Sequence, residues 1–378
     1  MRAWRAFELR SALTRLCAAA HIARGAIESV AGKVTYPIVP GHELAGVCTA
    51  VGPGVTKFKV GDCVGVGCMV DSCLECANCK AGEEQKCSKG NIATYNGKDK
   101  FGRAQTYPPG GATLGGYTTK MVVHERFGIK IPEGYPLEYA GPVMCAGVTL
   151  YDPLKRYGAK AGTKVGVVGL GGLGQMGIRV AKAMGCVVTA ISRGDAKRSL
   201  ATDCGADAYV SSTDDKAMAA IHGTLDLVLN TIAADHDYSM YTKLTAKAGG
   251  KHIILGLNNG LGAAMMVDAL TFGNSRVKMS GIGGIAATQE VVDICAKHNI
   301  KPAIKIIAAE QINEVYTELE NGNASGLRHV LDIATLNEGA FERCTAPPPD
   351  FSKAEAQGMQ VGGMLSTACG FFFCFEWW

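Results

Sequence analysis

"KVGVVGLGGLGQMGIRVAKAMG" (residues 164–185) reads as a strand, a glycine turn and a helix. Val165, Val167 and Val168 make a short β-branched run, and Gly169, Gly171 and Gly174 then give G-x-G-x-x-G. Met176, Ile178, Val180, Ala181 and Met184 follow at helical spacing. The first glycine permits the turn, the second lets a pyrophosphate approach the backbone, and the third lets the helix pack on the strand. The N-terminus of the helix offers N–H donors to phosphate. In a chain with 49 glycines the motif alone would mean little, but between a β-run and an amphipathic helix it points to dinucleotide binding. Gly169, Leu170, Gly171, Gly172, Leu173 and Gly174 are therefore candidate cofactor contacts.

The next strand, "CVVTAIS", would end in an acidic residue if it were built to bind the ribose 2′-hydroxyl of NAD. It runs instead into Ser192, Arg193, Gly194, Asp195, Ala196 and Lys197. A hydroxyl and two cations suit a 2′-phosphate, which favours NADP; as plain surface charges at a helix start they would mean nothing. "LDLVLNT" and "KHIILGL" add strand-like runs with helical patterns between them, so a parallel, doubly wound sheet is expected.

A chain of 378 residues is long for one core and suggests two domains. The net charge of +4 comes without a Lys/Arg stripe or aromatic–basic interleaving, which argues against nucleic acid as a partner. No apolar run is long enough to predict a membrane span. The fifteen cysteines are odd in number, and no signal-peptide pattern precedes them, so a reducing, cytoplasmic setting is expected. Cys48, Cys63, Cys68, Cys186, Cys204 and Cys295 lie in apolar contexts and read as small hydrophobes of the core.

"DSCLECANCKAGEEQKC" (residues 71–87) differs, because Cys73, Cys76, Cys79 and Cys87 give C-x2-C-x2-C-x7-C. Four thiolates suit tetrahedral zinc and leave no position open for substrate. Two disulfides or an iron–sulfur cluster are the competing readings. Zinc is favoured, in a structural role. A second candidate centre is more dispersed: His42 and Glu43 in "YPIVPGHELAG", and Cys145 in "GPVMCAGVTLY". A His and a Cys could hold zinc with an open position, but about a hundred residues separate them and spacing cannot decide.

"YPIVPGHELAGVCTAVGPGVTKFKVGDCVGVGCMVDSCLECANCKAGEEQKC", with "TYNG", "GGYTTKMVV", "CAGVTLYDPL", "GLGGLG" and "QINEVYTELENG", resembles the zinc-dependent medium-chain alcohol dehydrogenases, in their cinnamyl-alcohol-dehydrogenase branch. The resemblance covers about residues 33–335. It implies a GroES-like, β-rich catalytic domain with an inserted Rossmann domain, acting on alcohols and aldehydes with zinc and NADP, as a homodimer. The implied layout is a divergent segment over 1–34 and a catalytic domain over 35–144 with its zinc lobe at 68–90. The Rossmann domain follows over 145–284, the catalytic domain returns over 285–337, and 338–378 is a tail foreign to the family.

By resemblance, Cys73, Cys76, Cys79 and Cys87 match the structural zinc ligands, and His42, Glu43 and Cys145 match catalytic ones. Thr149, Gly169 to Gly174, Ser192, Arg193, Lys197, Thr231, Gly256, Ser280, Gly281 and Ile282 match cofactor contacts. The family's "GxCHxD"-type motif, which carries a further catalytic ligand, has no clear counterpart. Cys17 is the cysteine available there, with Ala18, Ala19 and Ala20 where His, Ser/Thr and Asp are expected. "ALTRLCAAAHIA" moreover looks helical. With that ligand and the proton-relay hydroxyl in question, a weakly active, NADPH-binding protein is the alternative expectation.

Overall fold

A computed structural model describes residues 5–15, 34–104, 106–107, 111–256, 275–320 and 326–336. Cys17 with its alanines and the tail over 338–378 lie outside the described residues. The chain divides into two compact units.

The first unit holds the described residues up to Met144, together with 304–320 and 328–336. Its first strand, β1 (Ala6–Arg15), lies in the middle of a seven-stranded sheet. It pairs antiparallel with β2 (Leu44–Val51), which pairs with β3 (Cys63–Val66). Two small hairpins follow, β4 (Met69–Asp71) with β5 (Ile92–Ala93) and β6 (Thr106–Tyr107) with β7 (Ala112–Thr113). β8 (Lys120–His124) pairs with β1, and β9 (Gly128–Lys130) pairs with β3.

The stretch expected to look helical from Ala12 onward is strand as far as Arg15. Tertiary pairing overrides the weak propensity of Ala, Leu and Arg there. Register shifts in the pairing with β2, at Glu8/Leu9 and Ser11/Leu13, bend the strand. Its first half can then pair with β8 and its last residues with another strand. Phe7 and Leu9 are buried, so the strand carries core as well as pairing.

The second unit spans Cys145–Ala303 with residues 324–327. Its strands are β10 (Lys164–Val168), β11 (Val187–Ser192), β12 (Ala208–Ser211), β13 (Leu227–Asn230), β14 (Lys251–Ile254) and β15 (Val277–Met279). All neighbours are parallel, in the spatial order β12-β11-β10-β13-β14-β15. Counted within the unit that is 3-2-1-4-5-6, the doubly wound dinucleotide-binding order. Val165, Val167, Val168, Leu227, Val228 and Leu229 are all buried, because helices cover both faces of such a sheet.

The chain then returns to the first unit as β16 (Ile304–Ile307), parallel to β17 (Arg328–Asp332), which pairs with the last residues of β1. The expected α/β plus β architecture is thus present. Among the described residues, no helix is long and apolar enough to cross a membrane.

Candidate metal centres and nucleotide site

The four-cysteine lobe hangs between β4 and β5. Cys73 follows β4, and Cys76 caps the short helix Ala77–Lys80 by accepting from the Cys79 N–H at 3.5 Å. Cys87 ends the turn Glu84–Lys86. Backbone N–H groups also point at sulfur, from Cys76 to Cys73 Sγ and from Cys73 to Cys87 Sγ, both at 3.4 Å. Such donors favour thiolates, and those from Cys79 and Ser88 hold the Cys76 thiol down to about 5. Burial pushes Cys79 up to about 12, a penalty that a bound cation would reverse.

All four sulfurs lie within 4.8 Å of one another, and those of Cys73 and Cys79 are 3.8 Å apart. Zinc–sulfur bonds of about 2.3 Å make a tetrahedron with edges of about 3.8 Å, so the residues fit zinc. Disulfides are not formed: all four cysteines are free thiols.

The second centre is built by a strand ladder and a helix. β2 and β3 pair Leu44 with Val66 and Ala45 with Gly65. His42 lies two residues before β2 and Cys68 two residues after β3. A helical run from Leu137 to Arg156 lies on this ladder. A Cβ added to Gly65 would overlap the Met144 side chain, and one on Gly67 would stand 3.2 Å from the Met144 carbonyl oxygen. These glycines admit the helix. Pro142 cannot donate to the preceding turn, and a π-helical turn, Val143–Gly147, follows it. Cys145 stands on that turn, directly after Met144.

His42, Cys68 and Cys145 consequently bring one donor atom each to within 4.8 Å of the others. The His42 ring stacks on Tyr95, with centroids 5.7 Å apart and planes 14° apart. Glu43 is fully buried, with Oε1 3.9 Å from His42 Nε2, and it does not join the group. Cys68, read from the sequence as core filler, is half-buried and stands in this group, a proximity that spacing alone does not reveal. The other filler cysteines behave as expected where buried: Cys48 donates to the Ala50 carbonyl and Cys186 to that of Lys160.

In the second unit the glycine turn joins β10 to the helix Gly172–Ala183. Gly169 has φ +87°, and a Cβ on Gly174 would overlap the Gly169 carbonyl, so both positions require glycine. A Cβ on Gly171 would meet nothing within 4 Å, which leaves the backbone open to a phosphate. Among the described residues no side chain caps this helix, and its first N–H groups point to a place where a phosphate could accept from them. Thr231 Oγ1 donates to the carbonyls of Val168 and Gly169, at 2.9 and 3.1 Å, and so braces the turn from β13.

Gly256 continues from β14, with its N–H 3.2 Å from the Asn230 carbonyl. Thr149 Oγ1 donates to the Gly281 carbonyl at 3.3 Å, beside Ile282, and Ser280 Oγ is buried with no partner among the described residues. Ser192 closes β11, and beyond it Asp195 is held by Arg198 at 2.6 Å, while Lys197 reaches the Leu170 carbonyl at 3.4 Å. Arg193 is exposed and makes no hydrogen bond or ion pair among the described residues. The turn and its surroundings fit a dinucleotide.

Residues 11–133 match the alcohol dehydrogenase GroES-like domain, and residues 172–297 match the zinc-binding dehydrogenase family. The chain belongs to the zinc-dependent medium-chain alcohol dehydrogenases. Within that family it falls in the cinnamyl-alcohol-dehydrogenase-like branch, as its sequence motifs implied. It is 44% identical over 310 residues to NADP-dependent alcohol dehydrogenase C 1 of Mycolicibacterium smegmatis, covering 81% of this chain and 84% of that one. It is 43% identical over 311 residues to a probable cinnamyl alcohol dehydrogenase 3 of rice, Oryza sativa subsp. japonica, covering 81% of each. A solved cinnamyl alcohol dehydrogenase from Helicobacter pylori, complexed with NADP(H), superposes with a TM-score of 0.75 at 36% identity, over 88% of this chain and 91% of that one.

Proposed function

We propose that this member of the family is an NADP-dependent alcohol dehydrogenase that interconverts primary alcohols, of aromatic or aliphatic cinnamyl type, with their aldehydes. The observation that carries the reading is the His42–Cys68–Cys145 group in a chain that also has the braced glycine turn. His42 and Cys145 would hold the catalytic metal, and the four-cysteine lobe a structural one. Zinc bound at the first site supplies Lewis-acid polarisation of the substrate oxygen, and the nicotinamide supplies or accepts hydride.

The chain's own task is placement. N–H groups at the start of helix Gly172–Ala183 would take the pyrophosphate, and Arg193, with Ser192 and Lys197 beside it, would take the 2′-phosphate. Stacking on Tyr95 and the buried Glu43 carboxylate orient the His42 ring. The weakly active or inactive alternative rested on an altered zinc ligand and proton-relay hydroxyl in a segment outside the described residues, and the relatives, named as alcohol dehydrogenases, lend it no support. A homodimer in a reducing, cytoplasmic compartment completes the proposal: the family resemblance supports the first, and free thiols throughout the described residues support the second.

The test is turnover of cinnamaldehyde and simple aldehydes by the purified full chain with NADPH, against Cys145→Ala. Rates of about 1 per second or more that vanish in the variant would support the reading. Equal, negligible rates in both proteins would overturn it.

A further inference from the structure

We infer that Asn230 and His236 are positioning residues for the dinucleotide, which together hold the segment after β13 against the glycine turn. The inference rests on the nucleotide reading of that turn and extends it to two side chains that no sequence motif marks.

Asn230 is the last residue of β13 and is fully buried. β13 lies beside β10, and the strand order reverses between these two, which is where a doubly wound sheet takes its ligand. Residues 231 and 232 leave the sheet at that point. A Cβ on Gly169 would stand 2.9 Å from Thr231 Oγ1 and 3.2 Å from Ile232 Cγ1. One on Gly256 would overlap the Ile232 carbonyl oxygen. The segment is thus wedged between two candidate cofactor contacts, and a shift in its path would move both.

The Asn230 side chain fixes that path. A buried amide is costly unless it is bonded, and this one is bonded at both ends. Oδ1 accepts from the Ile232 N–H at 3.2 Å, so Nδ2 is the end that faces the histidines. Nδ2 lies 2.8 Å from His236 Nε2 and 3.1 Å from His252 Nε2, where both rings must accept. Their other nitrogens agree. His236 Nδ1 lies 2.7 Å from the Ala234 carbonyl oxygen, which calls for Nδ1–H. Thr242 Oγ1 donates to the Tyr238 carbonyl at 2.9 Å and so accepts from His252 Nδ1–H, also at 2.9 Å. Donors and acceptors match throughout with both rings neutral. Tyr238 and Tyr241 hold the His236 ring edge-on, with centroids 4.5 and 5.7 Å away. A strand end alone would need no such network, and the preceding Leu227, Val228 and Leu229 are apolar. Two of the three bonds return to residues 232 and 236, so the buried amide serves the segment that borders the crevice.

The test is equilibrium titration of the purified full chain with NADPH and with NADH, followed by fluorescence, with chemical denaturation as the check on folding. His236→Leu keeps bulk and removes the acceptor, and it should weaken both cofactors alike, by about three- to tenfold. His236→Gln puts an amide oxygen within reach of Asn230 Nδ2, and it should bind both within about twofold of the unaltered chain. A purely structural role would lower stability in His236→Leu and leave both affinities unchanged, and that result would overturn the inference. So would a loss confined to NADPH, which assigns His236 to the 2′-phosphate, or a loss that His236→Gln shares in full. No NADPH binding by the unaltered chain would overturn the nucleotide reading together with the inference.

Discussion

Arg126 donates through Nε to Glu84 Oε1 at 2.9 Å and through Nη2 to the Cys79 carbonyl at 2.7 Å. One side chain from the turn after β8 thus grips the four-cysteine lobe at a buried carboxylate and beside a proposed metal ligand. Arg103 makes a second clasp, with Nε and Nη2 on the two oxygens of Asp71 at 3.1 and 2.9 Å. Two guanidinium groups also offset the negative charge that four thiolates retain around one zinc.

Arg126→Ala should therefore cost about 1–3 kcal/mol of stability. The Glu84 side chain has no exposure, and losing its partner leaves a buried carboxylate short of positive charge. Arg126 is 41% exposed, so water softens the loss and holds the figure below that for a fully buried pair. Chemical denaturation gives the stability, and chelator-driven zinc release should quicken in the same variant. Unchanged release would show that the lobe holds its metal without this clasp.

Arg193→Ala should weaken NADPH binding by roughly ten- to a hundredfold and leave NADH nearly unaffected. One charge-assisted phosphate contact is worth about 1.5–3 kcal/mol, and Arg193 is exposed with no competing partner among the described residues. Fluorescence titration with each cofactor measures the split. A parallel loss for both would place Arg193 in general folding and not in phosphate recognition.

How much of this was legible in the sequence follows from the range of each interaction. The glycine turn was readable because Gly169, Gly171 and Gly174 act on their own turn and on the helix they open. The lobe was readable because Cys73 to Cys87 span fifteen residues and their spacing alone restricts them. Cys68 was not, since the residues grouped with it, His42 and Cys145, lie 26 and 77 residues away and only the fold brings them near. Strand β1 was hidden for a related reason: "ALTR" has no strand preference of its own, and its partners β2 and β17 arrive from 29 and more residues away.

Gly65→Ala should destabilise the protein by about 1–3 kcal/mol and reduce zinc at the His42 centre. The new Cβ would overlap the Met144 side chain and stand 3.0 Å from the Leu44 carbonyl oxygen, which forces helix and ladder apart. Cys145 follows Met144, so the displacement reaches a proposed metal donor. Adding Met144→Ala should recover part of the loss, because it removes the flexible half of the clash. A double variant as unstable as the sum of the two singles would show that the side chains do not meet.

Stability should fall as pH drops below neutral, and His252 should account for a definable share of that fall. The ring is fully buried between Asn230, whose Nδ2 lies 3.1 Å from Nε2, and Thr242, whose Oγ1 lies 2.9 Å from Nδ1. Burial, with the nearby His236 as a lesser cause, pushes its pKa down from 6.5 to about 4. Asn230 Nδ2 also lies 2.8 Å from His236 Nε2. The unfolded chain takes up the proton near pH 6.5 and the folded chain resists it until about pH 4. Protons bound in the unfolded state therefore exceed those in the folded state across that window, and stability declines as pH falls through it. The full difference amounts to about 3 kcal/mol. Unfolding free energy measured from pH 7.5 to 6.0, above the range where zinc leaves its thiolates, should fall with a gentler slope in His252→Gln than in the unaltered chain. Identical slopes would mean that His252 titrates alike in both states, and that burial does not hold it neutral.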